Sequence, residues 1–343
     1  MPNLLQLAAG DRLLVFAPHP DDESIATGGL LQVARESGAS CRVVLVTDGD
    51  NNPWPQRWIE KRWRIDAEAR ARWGARRRAE ARTALHVLGF GDSTLRFCGF
   101  PDTGLTDLLM RDDPTIATQL GAQIDEFRPT LIALPSLSDR HPDHSALHVL
   151  VRLALSTRAG PAPQLLAFAV HGAGSDDAAY VVLSAAQREI KARAILSHTS
   201  QMRLSSRRFL AFARERETFD LAPTPPQPMP AHPITATVRD AQLHVRLSPP
   251  VGSMLRVVLD GTAQRLHCKI ALRGRRDVAI VDSANGMPLG TATMADDRVV
   301  LPLPASLGAL RQGFLKLGRA QAGLFVFDRS GWQVVAGDAA AVR

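Results

Sequence analysis

The sequence of 343 residues has few cysteines, a single tyrosine and no long uninterrupted apolar run. Its three cysteines, Cys41, Cys98 and Cys268, are far apart and odd in number, which argues against a disulfide framework and a cysteine metal site. No apolar run approaches the roughly 20 residues that a membrane-spanning helix needs. The first residues, MPNLLQLAAGDR, have no basic stretch before an apolar core, so they do not resemble a secretory signal. We therefore expect a soluble, cytoplasmic protein.

The composition is that of a folded protein with a mild excess of positive charge. Apolar residues make up 45% of the chain and charged residues 22%, as in globular rather than disordered proteins. The net charge of +7 can attract nucleic acid, anionic lipid or phosphorylated compounds. A role in solubility alone explains a charge of this size at least as well.

Strand-like and helix-like segments alternate over residues 1–221. Strand patterns occur at 12–17, 41–47, 94–99, 130–135 and 164–170, and helical patterns at 24–36, 56–88, 115–127, 143–156, 184–197 and 201–217. This alternation predicts an α/β fold with a Rossmann-like, mostly parallel sheet that has helices on both faces. In such folds, ligands bind beyond the carboxyl ends of the strands.

The composition changes at residues 222–233, APTPPQPMPAHP, which include six prolines and are typical of a stiff linker. Runs with a period of two follow at 242–247, 254–259, 265–272, 297–303 and 323–328. They predict a C-terminal antiparallel β domain, sandwich-like or a barrel. The sequence thus predicts an α/β domain at 1–221, a proline-rich linker at 222–233 and an accessory β domain at 234–343.

A histidine and three acidic residues are crowded into the turn that follows the first predicted strand. These are His19, Asp21, Asp22 and Glu23, in the stretch PHPDDE. The spacing of three between His19 and Asp22 can point both side chains to one side of a turn that enters a helix. Imidazole and carboxylate are common zinc ligands, and a second carboxylate beside the metal is suited to act as a general base. A bound dication would also make the clustered negative charge favourable.

A second motif of the same kind, HPDH, follows the predicted strand at 130–135. His141 and His144 are again three residues apart, and the two motifs are expected at the same edge of one sheet. A catalytic zinc takes three protein ligands, so together the motifs predict one metal site, although the spacing does not say whether His141 or His144 is the ligand. The alternative is two capped turns, with Asp22 or Asp143 at a helix N-terminus.

These motifs resemble those of the PIG-L/LmbE-like deacetylases, zinc-dependent enzymes that remove acetyl groups from N-acetylated amino sugars on a Rossmann-like fold. Four further stretches resemble the family in the same order: VTDGD at 46–50, RRRAEARTALHVLGF at 76–90, FCGFPDTGL at 97–105 and KARAILSHTSQ at 191–201. The resemblance covers about residues 10–220. It implies hydrolysis of the acetamide of an N-acetylglucosamine-like group, in a glycolipid or another glycoconjugate, with one Zn²⁺ per chain.

The resemblance also implies a role for each residue of the two motifs. His19, Asp22 and His144 occupy the positions of the zinc ligands, and Asp21 that of the general base. His141 occupies the position of the residue that stabilises the oxyanion or protonates the leaving amine. Zinc in such a site polarises the carbonyl group and lowers the pKa of a water molecule.

One departure from the family concerns the oxyanion. Some relatives place a tyrosine shortly before the second motif, but the single tyrosine of this chain is Tyr180. The corresponding stretch here contains Asp139 and Arg140. Arg140 either supplies the positive charge or is a surface residue, and we favour the surface position.

Five residues are candidates for contacts with the substrate. They are Asp48, Arg77, Asp102, Arg140 and His198. Asp48 and Asp102 would bind sugar hydroxyls, hold the metal-binding histidines or simply form turns. His198 would line the site or end a helix.

Residues 53–78 contain four of the five tryptophans, Trp54, Trp58, Trp63 and Trp73, in a strongly basic context. This segment can form a rim beside the active site that stacks on sugars or binds a diphosphate. A long helix packed through its tryptophans explains it equally well. Contact with a membrane surface is a weaker alternative, and no nucleic-acid partner is expected because the metal motifs indicate another chemistry.

The leading hypothesis is therefore a zinc-dependent N-acetyl sugar deacetylase whose β domain positions a larger substrate or a partner. One alternative is a zinc amidase that acts on another acyl amide or on a thiol-sugar conjugate. The other is a glycan-binding protein with an inactive deacetylase domain. The complete set of histidines and aspartates in the two motifs argues against this last alternative.

Overall fold

The computed structural model describes residues 3–172, 178–223, 226–229, 232–248, 254–272, 276–318, 327–328 and 330–336, except for the side chains of 204 and 205. The chain forms two compact units. Unit 1 is Met1–Leu105, Thr118–Ser136 and Gly160–Ala222, and unit 2 is Thr106–Ala117, Leu137–Ala159 and Pro223–Arg343. In the described part of the chain, no helix combines the length and the apolar character that a membrane span requires.

Helices and strands alternate in the first 222 residues, and strands follow. The helices are α1 (Asp22–Glu36), α2 (Pro53–Glu60), α3 (Ala67–Val87), α4 (Leu105–Met110), α5 (Pro114–Phe127), α6 (Pro142–Ser156), α7 (Ala185–Ser197) and α8 (Thr199–Leu210). The strands of unit 1 are β1 (Arg12–Ala17), β2 (Ser40–Thr47), β3 (Leu95–Phe100), β4 (Leu131–Pro135), β5 (Gln164–Phe168), β6 (Ala179–Val182) and β7 (Arg216–Ala222). Those of unit 2 are β8 (Ile234–Arg239), β9 (Gln242–Leu247), β10 (Met254–Gly261), β11 (Arg265–Ala271), β12 (Asp277–Asp282), β13 (Pro288–Ala295), β14 (Arg298–Pro302), β15 (Leu310–Gly318) and β16 (Gln333–Val334).

The sheet of unit 1 has the strand order β3-β2-β1-β4-β5-β7-β6. Strands β1 to β5 pair in parallel, whereas β7 is antiparallel to both β5 and β6. The prediction of a Rossmann-like, mostly parallel sheet is confirmed. The chain runs from β1 to β2 and β3 on one side and then crosses to β4 on the other side of β1. This reversal is a topological switch point, where α/β proteins bind their ligands beyond the carboxyl ends of the strands.

The apolar run that precedes the first motif explains the central place of β1. Residues 13–17 are all fully buried, as expected for a parallel strand that is covered on both faces. The chain leaves this strand through residues 18–21 and enters α1 at Asp22. The polar residues of the first motif therefore lie at the carboxyl end of the central strand.

The predicted long helix at 56–88 is wrong, because the segment forms two helices, α2 and α3. Lys61 adopts a left-handed conformation with φ of 51°, which ends α2. Asp66 then begins α3 as its N-cap, accepting a hydrogen bond from the backbone N–H of Ala69 at 2.8 Å. Aspartate stabilises the start of a helix more than its interior. The basic, alanine-rich composition predicts one continuous helix and does not indicate the cap at Asp66.

The helix predicted at 201–217 is also too long, since α8 ends at Leu210 and β7 begins at Arg216. Burial alternates at the start of this strand, with Glu217 and Phe219 buried and Arg216 and Thr218 exposed. This period of two is the pattern of a strand.

Unit 2 contains a nine-stranded antiparallel sheet with the order β16-β15-β10-β11-β12-β13-β14-β9-β8. Its ends meet, because the N–H of Val238 donates to the carbonyl of Ala336 at 3.2 Å and that of Ala336 to Ala236 at 2.9 Å. The sheet is thus nearly barrel-like around an apolar core. The antiparallel prediction is confirmed, and of the strand expected at 323–328, residues 323–326 lie outside the described residues.

Unit 2 also contains α6, which the sequence places in the α/β part. Residues of the antiparallel sheet donate to backbone carbonyls of this helix: Arg265 Nη2 to Leu153 at 2.9 Å and Gln312 Nε2 to Arg152 at 3.2 Å. The loop before the helix is held in the same way, since the N–H of Trp332 donates to the carbonyl of Leu137 at 3.0 Å. The C-terminal region therefore contacts both the helix of the second motif and the loop before it.

Candidate active site

The first motif places its two predicted metal ligands side by side in unit 1. Nδ1 of His19 lies 3.2 Å from Oδ2 of Asp22, and the same oxygen accepts the backbone N–H of His19 at 3.1 Å. Zinc bonds of 2.0–2.1 Å in a tetrahedral site would separate two ligand atoms by about 3.3 Å. The spacing of His19 Nδ1 and Asp22 Oδ2 is therefore suited to a shared metal ion.

Asp102 contacts the other nitrogen of the same histidine ring. Its Oδ1 lies 3.0 Å from Nε2 of His19, and its Oδ2 accepts the N–H of Asn51 at 3.2 Å. A carboxylate in this position fixes the tautomer and the orientation of a metal-binding histidine. Of the roles open to Asp102 from the sequence, the geometry fits the holding of His19.

Asp21 faces a different partner from Asp22. Its Oδ2 lies 3.0 Å from Nη2 of Arg77, and its backbone N–H donates to Oε2 of Glu23 at 2.9 Å. The backbone of Asp21 has φ of 143°, which is a strained conformation for a residue other than glycine. Burial raises the pKa of Asp21 to about 6, although the Arg77 guanidinium opposes the rise and Asp22 adds to it. A carboxyl group with a pKa near neutrality is suited to accept a proton.

Arg77 is buried and bonds to groups of the protein. Nη1 donates to the carbonyl of Gly49 at 3.0 Å, and Nη2 donates to that of Pro20 at 2.5 Å. Gly49 has φ of 61°, and a Cβ atom there would lie 1.9 Å from the guanidinium. Arg77 therefore orients Asp21 and the turn of the first motif, while its predicted contact with substrate stays a prediction.

Glu23 and His198 form a buried pair behind the first motif. Oε1 of Glu23 lies 2.9 Å from Nε2 of His198 and accepts the hydroxyl of Ser24 at 2.7 Å. Burial alone would favour the neutral forms of both side chains, but the attraction between their opposite charges outweighs this effect. His198 therefore lowers the pKa of Glu23, and Glu23 raises the pKa of His198. His198 thus links the corner between α7 and α8 to the start of α1. The local sequence around Glu23 does not indicate that its partner is His198.

Asp48 lies apart from the histidine of the first motif. Its carboxylate forms an ion pair with Arg78, and burial raises its pKa despite that cation. Asp48 directly follows β2, and its side chain lies next to Gly74 on α3. No contact of its carboxylate with His19 is observed among the described residues, and its predicted binding of sugar hydroxyls stays a prediction.

The second motif is organised by Asp139 within unit 2. Its Oδ1 accepts the backbone N–H of His141 at 2.9 Å, and its Oδ2 lies 3.1 Å from Nδ1 of His144. All three side chains are buried. When Nδ1 of His144 donates to the carboxylate, the lone pair of this ring resides on Nε2, which is the form that binds a metal. The sequence indicated Asp139 only through its position shortly before the HPDH motif.

His141 caps the N-terminus of α6. Its Nδ1 accepts the backbone N–H of Asp143 at 3.2 Å, which assigns the ring proton of the neutral form to Nε2. The ring lies 4.8 Å from that of His144 and 6.0 Å from that of Phe327, measured between centroids. Nε2 therefore carries the donor proton of the neutral ring.

A lysine from the antiparallel sheet supports this helix. Nζ of Lys316, on β15, donates to Oγ of Ser145 at 3.0 Å and pairs with Oδ2 of Asp328 at 2.7 Å. Lys316 is fully buried and its ammonium lies 5.7 Å from the ring centroid of Trp332. Ser145 follows His144 directly, so the C-terminal region holds the first turn of α6. No sequence motif marked Lys316.

Arg140 is exposed, in agreement with the favoured surface position. Its carbonyl accepts the N–H of Asp328 at 2.8 Å, so its backbone helps to fix the loop before α6. Its contact with substrate stays a prediction.

The fold and the two groups of side chains define a Rossmann-like α/β protein with histidines and carboxylates beyond the ends of its central strands. The family model for PIG-L, GlcNAc-PI de-N-acetylase, matches residues 14–155. This match over residues 14–155 confirms the resemblance that the motifs indicated.

Two curated relatives and one solved structure illustrate the similarity. The 1D-myo-inositol 2-acetamido-2-deoxy-alpha-D-glucopyranoside deacetylase of Mycobacterium sp. (strain KMS) is 29% identical over 49% of this chain and 57% of its own length. The enzyme of the same name from Nakamurella multipartita is 32% identical over 46% of this chain and 58% of its own. The chain thus spans little more than half the length of these relatives. The N,N'-diacetylchitobiose deacetylase from Pyrococcus horikoshii superposes with a TM-score of 0.48, at 20% identity, over 62% of this chain and 84% of the other.

Proposed function

We propose that the protein is a metal-dependent hydrolase that removes the acetyl group from an N-acetylglucosamine-like group in a glycolipid or another glycoconjugate. The observation that carries this proposal is the matched build of the two motifs. Each follows one of the neighbouring strands β1 and β4, and each presents a histidine held by a carboxylate, Asp102 on His19 and Asp139 on His144. The deacetylase names of the relatives agree with this chemistry.

His19, Asp22 and His144 would hold one zinc ion per chain. The donor set fits the metal, because two imidazole nitrogens and one carboxylate oxygen are ordinary zinc ligands and leave a fourth position open. When bound, the ion would polarise the acetamide carbonyl and lower the pKa of a water molecule toward neutrality. Iron or cobalt also fits such ligands.

The side chains around these ligands would carry the proton transfers. Asp21 would accept a proton from the attacking water, since burial keeps its pKa near neutrality and Arg77 fixes its carboxylate at 3.0 Å. His141 would donate from Nε2–H to the developing oxyanion or to the leaving amine, because its Nδ1 is engaged by the N–H of Asp143. Free amine and acetate would be the products. We also propose that the protein is cytoplasmic.

Metal analysis of the purified full-length protein and acetate release from a panel of N-acetyl sugars, free and diphosphate- or lipid-linked, test the proposal. We expect close to one zinc per chain and release of acetate from at least one N-acetylglucosamine conjugate. Asp21→Asn should keep the metal and lose about 10²–10⁴-fold in rate, the range for general acid–base groups. The matched control is Asp48→Asn, whose carboxylate pairs with Arg78 and should leave the metal content unchanged.

Three results would contradict the proposal in distinct ways. A protein that never takes up metal would exclude a metal-dependent hydrolase. Full activity of Asp21→Asn would remove Asp21 as the base. Cleavage of longer acyl amides without any release of acetate would indicate an amidase of another specificity.

A further inference from the structure

Three tryptophans are strongly exposed on one short segment of unit 1. Trp54, Trp58 and Trp63 have 55%, 67% and 76% of their surface accessible, whereas Trp73 and Trp332 are buried. Tryptophan is on average a highly buried residue, and a contiguous exposed apolar patch marks an interaction site. We call residues 53–64, which include α2, the tryptophan arm.

The rings of the arm are held close together by one arginine. Trp54 and Trp58 are four residues apart and so lie on the same face of α2. The guanidinium of Arg57 lies 5.2 Å from the ring centroid of Trp54 and 5.1 Å from that of Trp63, and Nε donates to the carbonyl of Trp63 at 2.9 Å. Cation–π contacts of this kind order the rings before any partner binds.

The opposite side of the arm is anchored to the α/β unit. Pro55 and Gln56 are buried, and Nε2 of Gln56 donates to the carbonyl of Ala69 on α3 at 2.7 Å. The arm therefore has an inner face that packs and an outer face that carries the tryptophans. The exposed rings are not part of the apolar core of unit 1.

The border of the outer face is cationic. Lys61, Arg62 and Arg64 are exposed on either side of Trp63. The acidic residue of the arm, Glu60, is half-buried and lies 3.8 Å from Arg72. Exposed aromatic rings are thus combined with exposed positive charges and no exposed carboxylate.

We propose that the tryptophan arm docks on an anionic lipid surface, with the rings at the level of the headgroups and the cations against the lipid phosphates. Tryptophan favours the membrane–water interface, and neighbouring Lys and Arg side chains add attraction to anionic lipid. A sugar platform would instead combine ring faces with carboxylates and amides that bind hydroxyl groups. The arm begins two residues after Asn51, whose N–H donates to Asp102, so docking would bring the first motif to the lipid interface.

Co-sedimentation of the full-length protein with vesicles tests this surface. The probes are vesicles of phosphatidylcholine alone and of phosphatidylcholine mixed with phosphatidylglycerol, at two salt concentrations. We expect binding to the mixed vesicles with a blue shift of tryptophan fluorescence, and weaker binding at high salt. The double variant Trp58→Ala/Trp63→Ala should lower the partition coefficient at least about tenfold. Arg62→Gln/Arg64→Gln should lower it about tenfold and reduce its dependence on salt.

The matched control is Met287→Ala/Leu289→Ala, which removes two other exposed apolar side chains, 61% and 47% accessible, from unit 2. It should bind vesicles like the unaltered protein. The proposal is overturned if the protein binds neither kind of vesicle, or if the tryptophan variant binds as well as the control. A fluorescence response to soluble N-acetylchito-oligosaccharides without vesicle binding would overturn it in favour of a sugar platform. These readouts require no enzymatic activity, so they are independent of the proposed deacetylation.

Discussion

The carboxylate of Asp139 lies 3.1 Å from Nδ1 of His144 and holds the histidine that ends the HPDH motif. The other oxygen of the same carboxylate accepts the backbone N–H of His141. One aspartate thus sets both the tautomer of a predicted metal ligand and the start of α6. Carboxylate–histidine pairs of this kind tune metal affinity in zinc sites.

Asp139→Asn should lower zinc affinity about 10–100-fold. Asparagine has one acceptor oxygen and cannot serve both the N–H of His141 and Nδ1 of His144. Competition with a fluorescent zinc chelator measures the change. The neighbouring exposed residue provides the control, since Arg140→Gln should retain full affinity, and equal affinities of the two variants would contradict the role of Asp139.

Asp102→Ala should weaken zinc binding to a similar extent by releasing Nε2 of His19. The variant should also move the imidazole ¹⁵N resonances of His19, because the ring loses the acceptor at 3.0 Å. Asp48→Ala is the matched control, as its carboxylate pairs with Arg78 in a nearby loop. Unchanged ring resonances in Asp102→Ala would show that the contact does not set the tautomer.

The pKa of Asp21 in the metal-free protein should be about 6, measured from its carboxyl ¹³C shift, because burial raises it from 3.8. Added zinc should lower this pKa, since a nearby cation favours the carboxylate. The folded protein binds this proton more tightly than the unfolded chain, so the stabilising contribution is complete below about pH 4 and is lost as pH rises through 6.

Asp21→Asn does not ionise at this position and should therefore gain stability relative to the unaltered metal-free protein between pH 4 and pH 7. The rise from 3.8 to about 6 corresponds to at most about 3 kcal/mol. Thermal unfolding of both proteins across this range measures the difference. A difference in Tm that does not change with pH would refute the raised pKa.

The parts of the molecule that follow from local sequence were predictable, and the parts that depend on distant partners were not. The apolar run of β1 and the HPD turns revealed the central strand and the motif residues, because strand burial and turn chemistry are local properties. Glu23 and His198 are 175 residues apart, and Lys316 and Ser145 are 171 apart, so no spacing could pair them. The start of α3 depends on the capping aspartate Asp66, which is a local feature within a segment whose composition favours one long helix.

Lys316→Met removes a buried partner of Ser145 and Asp328 and should lower Tm, but by less at pH 7 than at pH 10. Burial lowers the pKa of Lys316, although Asp328 opposes this, so keeping its charge costs stability at neutral pH. That cost diminishes as the pH rises toward the ordinary lysine value of 10.5, where the unfolded chain also loses its proton. The control is Leu289→Ala on β13, which removes a side chain that does not ionise, so its Tm difference should stay constant with pH. A constant difference for both variants would contradict the lowered pKa.

The hydrogen bond from Lys316 to Ser145 also bears on the synthesis of the protein. Residues 137–159 leave the ribosome well before β15 has been translated, and the support of α6 arrives only with that strand. The first turn of the helix that carries the second motif gains this buried hydrogen bond only after β15 has been made. A chain cut short at the proline-rich segment would contain both motifs in its sequence and still lack a buried partner of the helix that carries one of them.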